Sequence, residues 1–430
     1  MSEDVFDAIV VGAGSAGCVA AYTLAKAGKS VLVVERGNFA GSKNMTGGRV
    51  YAHALKKVFP DFEKSAPLER KITHEKISFL APDANFTIDF ASEGLGQEGQ
   101  DAYSVLHAQF NPWLAEQAEN AGADFIYGIR VEDLIVRDGK VCGVKAGEDE
   151  LEAHVTILAD GCNSLLAQKI GFAQEPQLVQ MAVGAKEVLE LPSEVIEDRF
   201  NCNAGEGASW LFAGDSTHGH VGGGFIYTNK NSLSIGVVAT LSDLIEASVP
   251  VYQMLEDFKN HDAVRPLVKG GKIVEYSGHL VPEGGYHMIP KLVGDGVLVT
   301  GDAAMLCINL GYSVRGIDFA IASGEMAGKA AEHALNAADV SKAGLGMYAS
   351  LLKDSFVLKD LERFQKFPHT MESTKHLFKG YPEMVRDMML SMFVVDGEPV
   401  EPIAKKLIRP VKNIGLMTVA REMMGMVRSL

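Results

Sequence analysis

The segment that most restricts the fold is Gly12-Ala13-Gly14-Ser15-Ala16-Gly17. It follows an apolar run, Phe6 to Val11, and opens a helical pattern, VAAYTLAKAG, closed by Gly28. A second apolar run, Ser30 to Glu35, comes next. Uninterrupted apolar runs of this length suit strands buried on both faces of a parallel sheet. The stretch therefore reads as one β-α-β unit. Within it, Gly12 makes the tight turn, Gly14 lets backbone approach a pyrophosphate, and Gly17 permits close helix–strand packing. Glu35 lies 21 residues after Gly14, near the roughly 20 expected of an acid that accepts from ribose hydroxyls. An acid there disfavours a cofactor carrying a 2′-phosphate.

This fingerprint alone leaves FAD and NAD undecided. Two further strand ends discriminate. ILADGCNS ends a strand at Asp160-Gly161, and VLVTGDAA ends one at Gly301-Asp302. In a doubly wound sheet such ends face the cofactor crevice. An Asp there can accept from a ribityl hydroxyl, and the small residues after it let a helix N-terminus approach a phosphate. Taken singly, each could be a plain strand-to-helix turn with a capping Asp. The three together, in this order, point to FAD. Ser15, Ala16, Arg36, Gly37 and Val131 are expected beside it.

Net charge is −15, which disfavours nucleic acid as a partner. The five cysteines, at 18, 142, 162, 202 and 307, include no C-x-x-C pair, and the histidines form no recognisable metal set. Neither zinc, an iron–sulfur cluster nor a disulfide framework is expected from this chain. MSEDVFDAIVVG has no basic n-region, and no apolar run reaches the length of a membrane span. A cytoplasmic location is expected, with peripheral membrane contact open.

Further along, residues 73–106 read as short strand-like pieces and Phe110–Ala121 as a helix. Asp138-Gly139 marks a hairpin. Between about 175 and 290 strand patterns dominate, which suggests an antiparallel sheet in a separate layer. A small-residue helix is expected over Gly316–Ala338, and 345–430 is helical in pattern. The fold class is α/β: a Rossmann-type FAD-binding domain, an inserted antiparallel-sheet domain and a helical C-terminal region. Gly222-Gly223-Gly224 lacks β-α-β context, so no second dinucleotide domain is expected.

GAGSAG, ADGCNS and TGDAA together resemble the FAD superfamily of aromatic hydroxylases and geranylgeranyl reductases. Longer strings narrow the match. ERGNFAGSKNMTGGRVYAHAL, APLERKITHEKISF, VGGGFIYTNKNSLSIG, VYQMLEDFKNH, EYSGHLVPEGG and NLGYSVRGIDFAIASGE resemble the Fix-type electron-transfer flavoprotein:quinone oxidoreductases. The resemblance implies FAD-binding segments at 1–75, 101–172 and 289–340, substrate or quinone-domain segments at 76–100 and 173–288, and partner or membrane contact from 341–430. It places Lys43, Asn44, Thr46, Gly47 and Gly48 beside the isoalloxazine, with Gly311 and Arg315 closing the other side. Arg49 could stabilise an anionic reduced flavin, and Tyr51 or Tyr312 could border an acceptor pocket; ordinary packing roles compete for these residues. Members of this group usually carry Arg where His107 stands and Asp where Asn111 stands. A neutral His loses the bidentate charged contact to the diphosphate.

No Cys follows Cys307, whereas larger relatives carry a cysteine-rich iron–sulfur module there. The resemblance therefore implies a separate ferredoxin-like subunit, a two-subunit electron-transfer flavoprotein and a quinone as partners. The expected activity is FAD-dependent electron transfer among them. Two rivals stand beside it: a prenyl-chain reductase or monooxygenase of the same superfamily, and a non-catalytic flavoprotein scaffold. The end of the chain carries Lys405, Lys406, Arg409, Lys412, Arg421 and Arg428 against one acid, Glu422, with Met417, Met423, Met424 and Met426 among them. That composition suits a lipid anchor on the inner face of the cell membrane, a partner-docking helix, or a helix packed on its own domain.

Overall fold

The computed structural model describes residues 5–43, 48–283, 285–374 and 376–430. The chain alternates between two large sheets. The first is the parallel sheet that the apolar runs predict. Its strands lie in the order Val293–Gly294, Val297–Val299, Asp149–Leu158, Phe6–Val11, Val31–Glu35, Asp124–Tyr127, parallel except for Val293–Gly294, and Lys140–Ala146 and Asp133–Arg137 add an antiparallel branch on Asp149–Leu158. Phe6–Val11 sits centrally because Ile9 and Val10 are buried on both faces. The helices Ser15–Lys26 and Ile317–Asn336 pack against each other beside it. Their contact is close because small residues face each other: a Cβ on Gly324 would lie 2.3 Å from the Ala16 carbonyl oxygen. The Asp138-Gly139 hairpin forms as expected, with both residues at positive φ between strands Asp133–Arg137 and Lys140–Ala146.

The second sheet runs Lys272–Pro282, Met181–Glu190, Ser232–Thr240, Gly222–Thr228, Glu206–Gly214, Leu68–Ala81, Ala102–Val105, Arg49–Tyr51, and Ala84–Ala91 pairs with Leu68–Ala81. Two expectations are corrected here. Residues 73–81 are not short pieces but part of one 14-residue strand, Leu68–Ala81; its polar residues are held in the sheet by partners such as Asp89 for Lys76. Nor is the sheet wholly antiparallel, because Leu68–Ala81 runs parallel to Glu206–Gly214. Parallel neighbours need a long crossover, and the chain supplies one by returning through the first sheet between them. Arg49–Tyr51 and Ala102–Val105 also belong to this second sheet. The sheets thus divide the chain earlier than residue 75 and later than residue 100.

Each sheet has its own apolar core, the smaller one built around Trp210, Phe212, Ile235 and Phe258. Arg70, 1% exposed, ties strands and loops of the second sheet together: its guanidinium donates to Asn229 O at 2.7 Å, Glu206 O at 2.9 Å, Ser193 Oγ at 2.6 Å and Glu197 Oε1 at 2.9 Å. The region after 345 is helical, ending in Ile403–Ile414 and Leu416–Ser429. No described helix is long and apolar enough to cross a membrane.

Candidate functional site

A cavity of about 800 Å³ lies between the two sheets and reaches the C-terminal helices. Its first end is the glycine turn. Gly12 has φ +101°, and a Cβ there would lie 2.4 Å from the Ala159 carbonyl oxygen. A Cβ on Gly17 would lie 1.9 Å from the Gly12 carbonyl oxygen, so helix and turn touch through backbone alone. Gly12, Gly14, Ser15 and Ala16 line the cavity, while Gly17 is buried behind them. No acid lies in the first turn of helix Ser15–Lys26, which leaves its leading N–H groups to face an anion. The Ser15 hydroxyl donates to Asn111 Oδ1 at 3.2 Å.

Glu35 and Arg36 line the same end. The Glu35 carboxylate accepts from the Ala13 N–H at 2.8 Å and the Gly37 N–H at 2.6 Å. The sequence pattern assigns it to a ribose; the structure gives it a second duty, bracing the turn. His107 is buried at the start of helix His107–Asn120 and lines the cavity, as does Val131.

Asp160, Gly161 and Asp302 line the middle, and Gly301 is buried just behind. Burial pushes both carboxyls up to about 6, with Arg36 partly opposing the rise at Asp160. Asp160 Oδ1 has no hydrogen-bond partner among the described residues. A buried acceptor left open beside a dinucleotide turn fits a polyhydroxyl chain that donates to it. The glycine cradle, the free helix start and these two acids therefore fit FAD.

At the other end, Lys43, Arg49, Gly311, Tyr312 and Arg315 line the cavity. Asn44, Thr46 and Gly47 lie outside the described residues, and Gly48 is buried against the Tyr227 ring. Arg49 is committed elsewhere than to the cavity alone: it pairs with Glu75, donates to Ser209 Oγ at 3.3 Å and stacks over Tyr51 at 4.4 Å. Its charge is thus largely compensated by Glu75. Tyr51 is not a cavity residue; its hydroxyl lies 3.0 Å from Ser313 Oγ. Tyr312 is 52% exposed at the loop tip. The Arg315 guanidinium pairs with Asp318 at 2.6 Å and Asp360 at 2.8 Å, so it braces the loop rather than presenting a free charge.

Several lining residues carry no sequence signal of their own. Phe212 and Gly222-Gly223-Gly224 come from the second sheet, and His279, Glu283, Cys307 and Asn309 from its edge and the neighbouring hairpin. Leu377, Phe378, Met426 and Leu430 bring the C-terminal region to the same space. Only the apolar character of that tail, at Met426 above all, hints at this in the sequence. Among the described residues no group of His, Cys, Asp and Glu could hold a metal ion.

This fold and site define an FAD-dependent oxidoreductase. The family model "FAD dependent oxidoreductase" matches residues 7–95, "ETF-QO, ubiquinone-binding" matches 181–281, and "ETF-QO/FixC family C-terminal domain" matches 367–430. The chain is 51% identical over 422 residues, 98% of each chain, to the probable electron transfer flavoprotein-quinone oxidoreductase YdiS of Escherichia coli K12, and equally so to Protein FixC of that strain. It is 39% identical over 429 residues, the full length of both, to the probable electron transfer flavoprotein-quinone oxidoreductase YgcN. The chain belongs to the electron transfer flavoprotein-quinone oxidoreductase/FixC family. In fold it is similar to a geranylgeranyl bacteriochlorophyll reductase-like protein from Thermoplasma acidophilum, with TM-score 0.73, 20% identity and coverage of 97% and 99% of the two chains. The flavin-dependent brominase Bmp2 gives TM-score 0.61 at 16% identity, over 97% of this chain and all of the other.

Proposed function

We propose that this oxidoreductase passes electrons between a two-subunit electron-transfer flavoprotein, a ferredoxin-like iron–sulfur subunit and a quinone. One observation carries the reading: a single cavity runs from the glycine turn to the second sheet and the C-terminal helices. It brings the polar glycine-turn residues and the apolar Phe212, Phe225, Phe378 and Met426 into one space. Phe212 and Phe225 belong to strands of the segment matched by the ubiquinone-binding family model.

In this reading FAD supplies the redox chemistry and the protein positions it. Gly12, Gly14, Ser15, Ala16 and Gly17 hold the diphosphate at the helix start, with His107 as a neighbour. Glu35, Arg36, Gly37 and Val131 bound the adenosine end. Asp160 and Asp302 accept from the ribityl chain, with Gly161 and Gly301 shaping the strand ends that carry them. Lys43 and Gly48 would border one side of the flavin ring, and Gly311 with the Arg315-braced loop the other. The second sheet excludes water from the ring. The basic C-terminal helices serve peripheral contact with the inner face of the cell membrane.

The test is to purify the chain with its co-purifying partners and follow flavin reduction by reduced electron-transfer flavoprotein, with and without a quinone. Reduction followed by quinone-dependent reoxidation is expected. Rapid bleaching by NAD(P)H with consumption of a prenyl or phenolic substrate would replace this reading by a reductase or monooxygenase. Bound FAD with no electron exchange would leave a scaffold subunit.

A further inference from the structure

Glu283 closes the inner wall of the cavity just beyond the last strand of the second sheet. Its environment differs from that of every other acid at the site. The Thr240 hydroxyl donates to its Oε2 at 3.1 Å. The Asn309 side-chain amide lies beside it and favours its charged form. That amide is oriented by its own oxygen, which accepts from the Gly311 N–H at 2.9 Å. Glu283 makes no ion pair among the described residues. The titratable groups facing it are Asp243 and Cys307, neither of them a cation, and burial followed by the Asp243 charge holds its carboxyl above the usual range. The Thr240 hydroxyl, which also lies 3.5 Å from the Val221 carbonyl oxygen, donates to Oε2, and the other carboxyl oxygen is left to carry a proton toward the cavity.

On the far side of Thr240 the polar groups continue towards solvent. The Thr240 N–H donates to the Val221 carbonyl at 3.1 Å, the Val221 N–H donates to Asp243 Oδ1 at 3.0 Å, and His220 Nδ1 lies 3.7 Å from the same oxygen. Asp243 and His220 are both partly open to water. An acid at a cavity wall thus has a hydroxyl behind it and, across the Val221 peptide group, a carboxylate and an imidazole partly open to water.

We infer that Glu283 is the proton donor to the acceptor reduced in this cavity. The inference rests on the quinone reading above. Reducing a quinone to a hydroquinone takes two electrons and two protons, one on each carbonyl oxygen; the reduced cofactor would supply both electrons and one proton, so one further proton is needed from the protein. Glu283 gives the first proton and is left as a carboxylate. It recovers its proton from solvent before the next turnover, and the second proton is the one the cofactor would give up on oxidation. The Asn309–Gly311 link ties the donor to the loop proposed to cover the flavin, so electron source and proton source are set by one hairpin.

The test compares FAD-loaded wild type with Glu283→Gln, each chemically reduced and then mixed with a short-chain quinone or with ferricenium, which accepts an electron without a proton. Positioned general acids contribute about 10²–10⁴-fold. Oxidation of Glu283→Gln by quinone should slow about 100-fold and lose its solvent-deuterium effect, with ferricenium oxidation unchanged. Glu283→Asp should retain part of the rate with a displaced pH profile, and Thr240→Val should slow quinone about tenfold; these two decide the matter if Glu283→Gln fails to hold FAD. Quinone rates within twofold of wild type in the variants overturn the inference, and so does equal slowing with both acceptors. A wild type oxidised by ferricenium but never by quinone removes the quinone reading, and this inference with it.

Discussion

Glu35 is bonded to the turn it serves: its Oε2 accepts the Ala13 N–H at 2.8 Å, across 22 residues of chain. The other oxygen takes the Gly37 N–H. One buried carboxylate thereby fixes the turn before the helix and the backbone leaving the second strand, and it does so before any ribose arrives.

Replacing Glu35 by Gln should therefore cost more than a ribose contact. The amide can accept one of the two N–H groups but turns an N–H toward the other. An unsatisfied buried donor costs about 1–3 kcal/mol. We expect thermal stability of the FAD-free protein to fall, together with an FAD affinity lowered roughly tenfold or more. Unchanged melting of the FAD-free variant would confine Glu35 to ribose recognition.

Gly17 offers a sharper steric test. A Cβ 1.9 Å from the Gly12 carbonyl oxygen cannot be relieved by a rotamer, because both atoms belong to the backbone framework. Gly17→Ala should destabilise by about 4 kcal/mol or more, the range reserved for a named structural conflict. Gly28→Ala is the control: φ is +76° with open space around it, and about 1–2 kcal/mol is expected from backbone strain alone. Chemical denaturation of both variants decides. Equal losses would show that the contact at Gly17 relaxes.

These two glycines also mark where sequence is informative. Gly12, Gly17 and Glu35 act through local geometry, so spacing reveals them; Asp160 and Asp302 stand at strand ends, so the apolar run before each reveals them. Arg49 looks like a free charge because its partner, Glu75, arrives from another strand. The parallel pairing of Leu68–Ala81 with Glu206–Gly214 joins segments more than a hundred residues apart, and no local pattern encodes it. Glu283 and Asn309 meet only through tertiary packing, and Met426 reaches the cavity only once the last helix has docked.

The two central acids predict an opposite pH response for the free and the loaded protein. Asp160 and Asp302 are raised to about 6, above the unfolded value near 3.9. Their contribution to stability is complete below about pH 4 and is lost as pH rises through 6, by on the order of 1–3 kcal/mol each. Hydroxyls donating to them favour the carboxylate form. FAD should therefore bind more tightly at pH 7 than at pH 5, while the FAD-free protein unfolds more easily. Denaturation and fluorescence titration at both values test this, with Asp160→Asn and Asp302→Asn each flattening the trend. An FAD-free stability independent of pH between 4 and 7 would contradict it.

The C-terminal helices combine exposed apolar and unpaired basic side chains. Lys405 and Arg409 are paired with Glu401, but Lys412, Arg421 and Arg428 make no ion pair among the described residues. Beside them Met417 is 88% exposed, Val427 76% and Phe393 74%. The opposite side is anchored: Tyr381 donates to Glu422 at 2.7 Å, His376 lies 3.0 Å from the same carboxylate, and Met426 lines the cavity. The last helix is therefore packed on its own domain through one face and free on the other. Juxtamembrane basic residues contribute about 1 kcal/mol each at an anionic surface. Reversing Lys412, Arg421 and Arg428 to Glu together should lower co-sedimentation with phosphatidylserine vesicles by at least tenfold and abolish its salt dependence, with FAD content intact. Equal binding of wild type to neutral vesicles, or no change on reversal, would assign the free face to a protein partner instead.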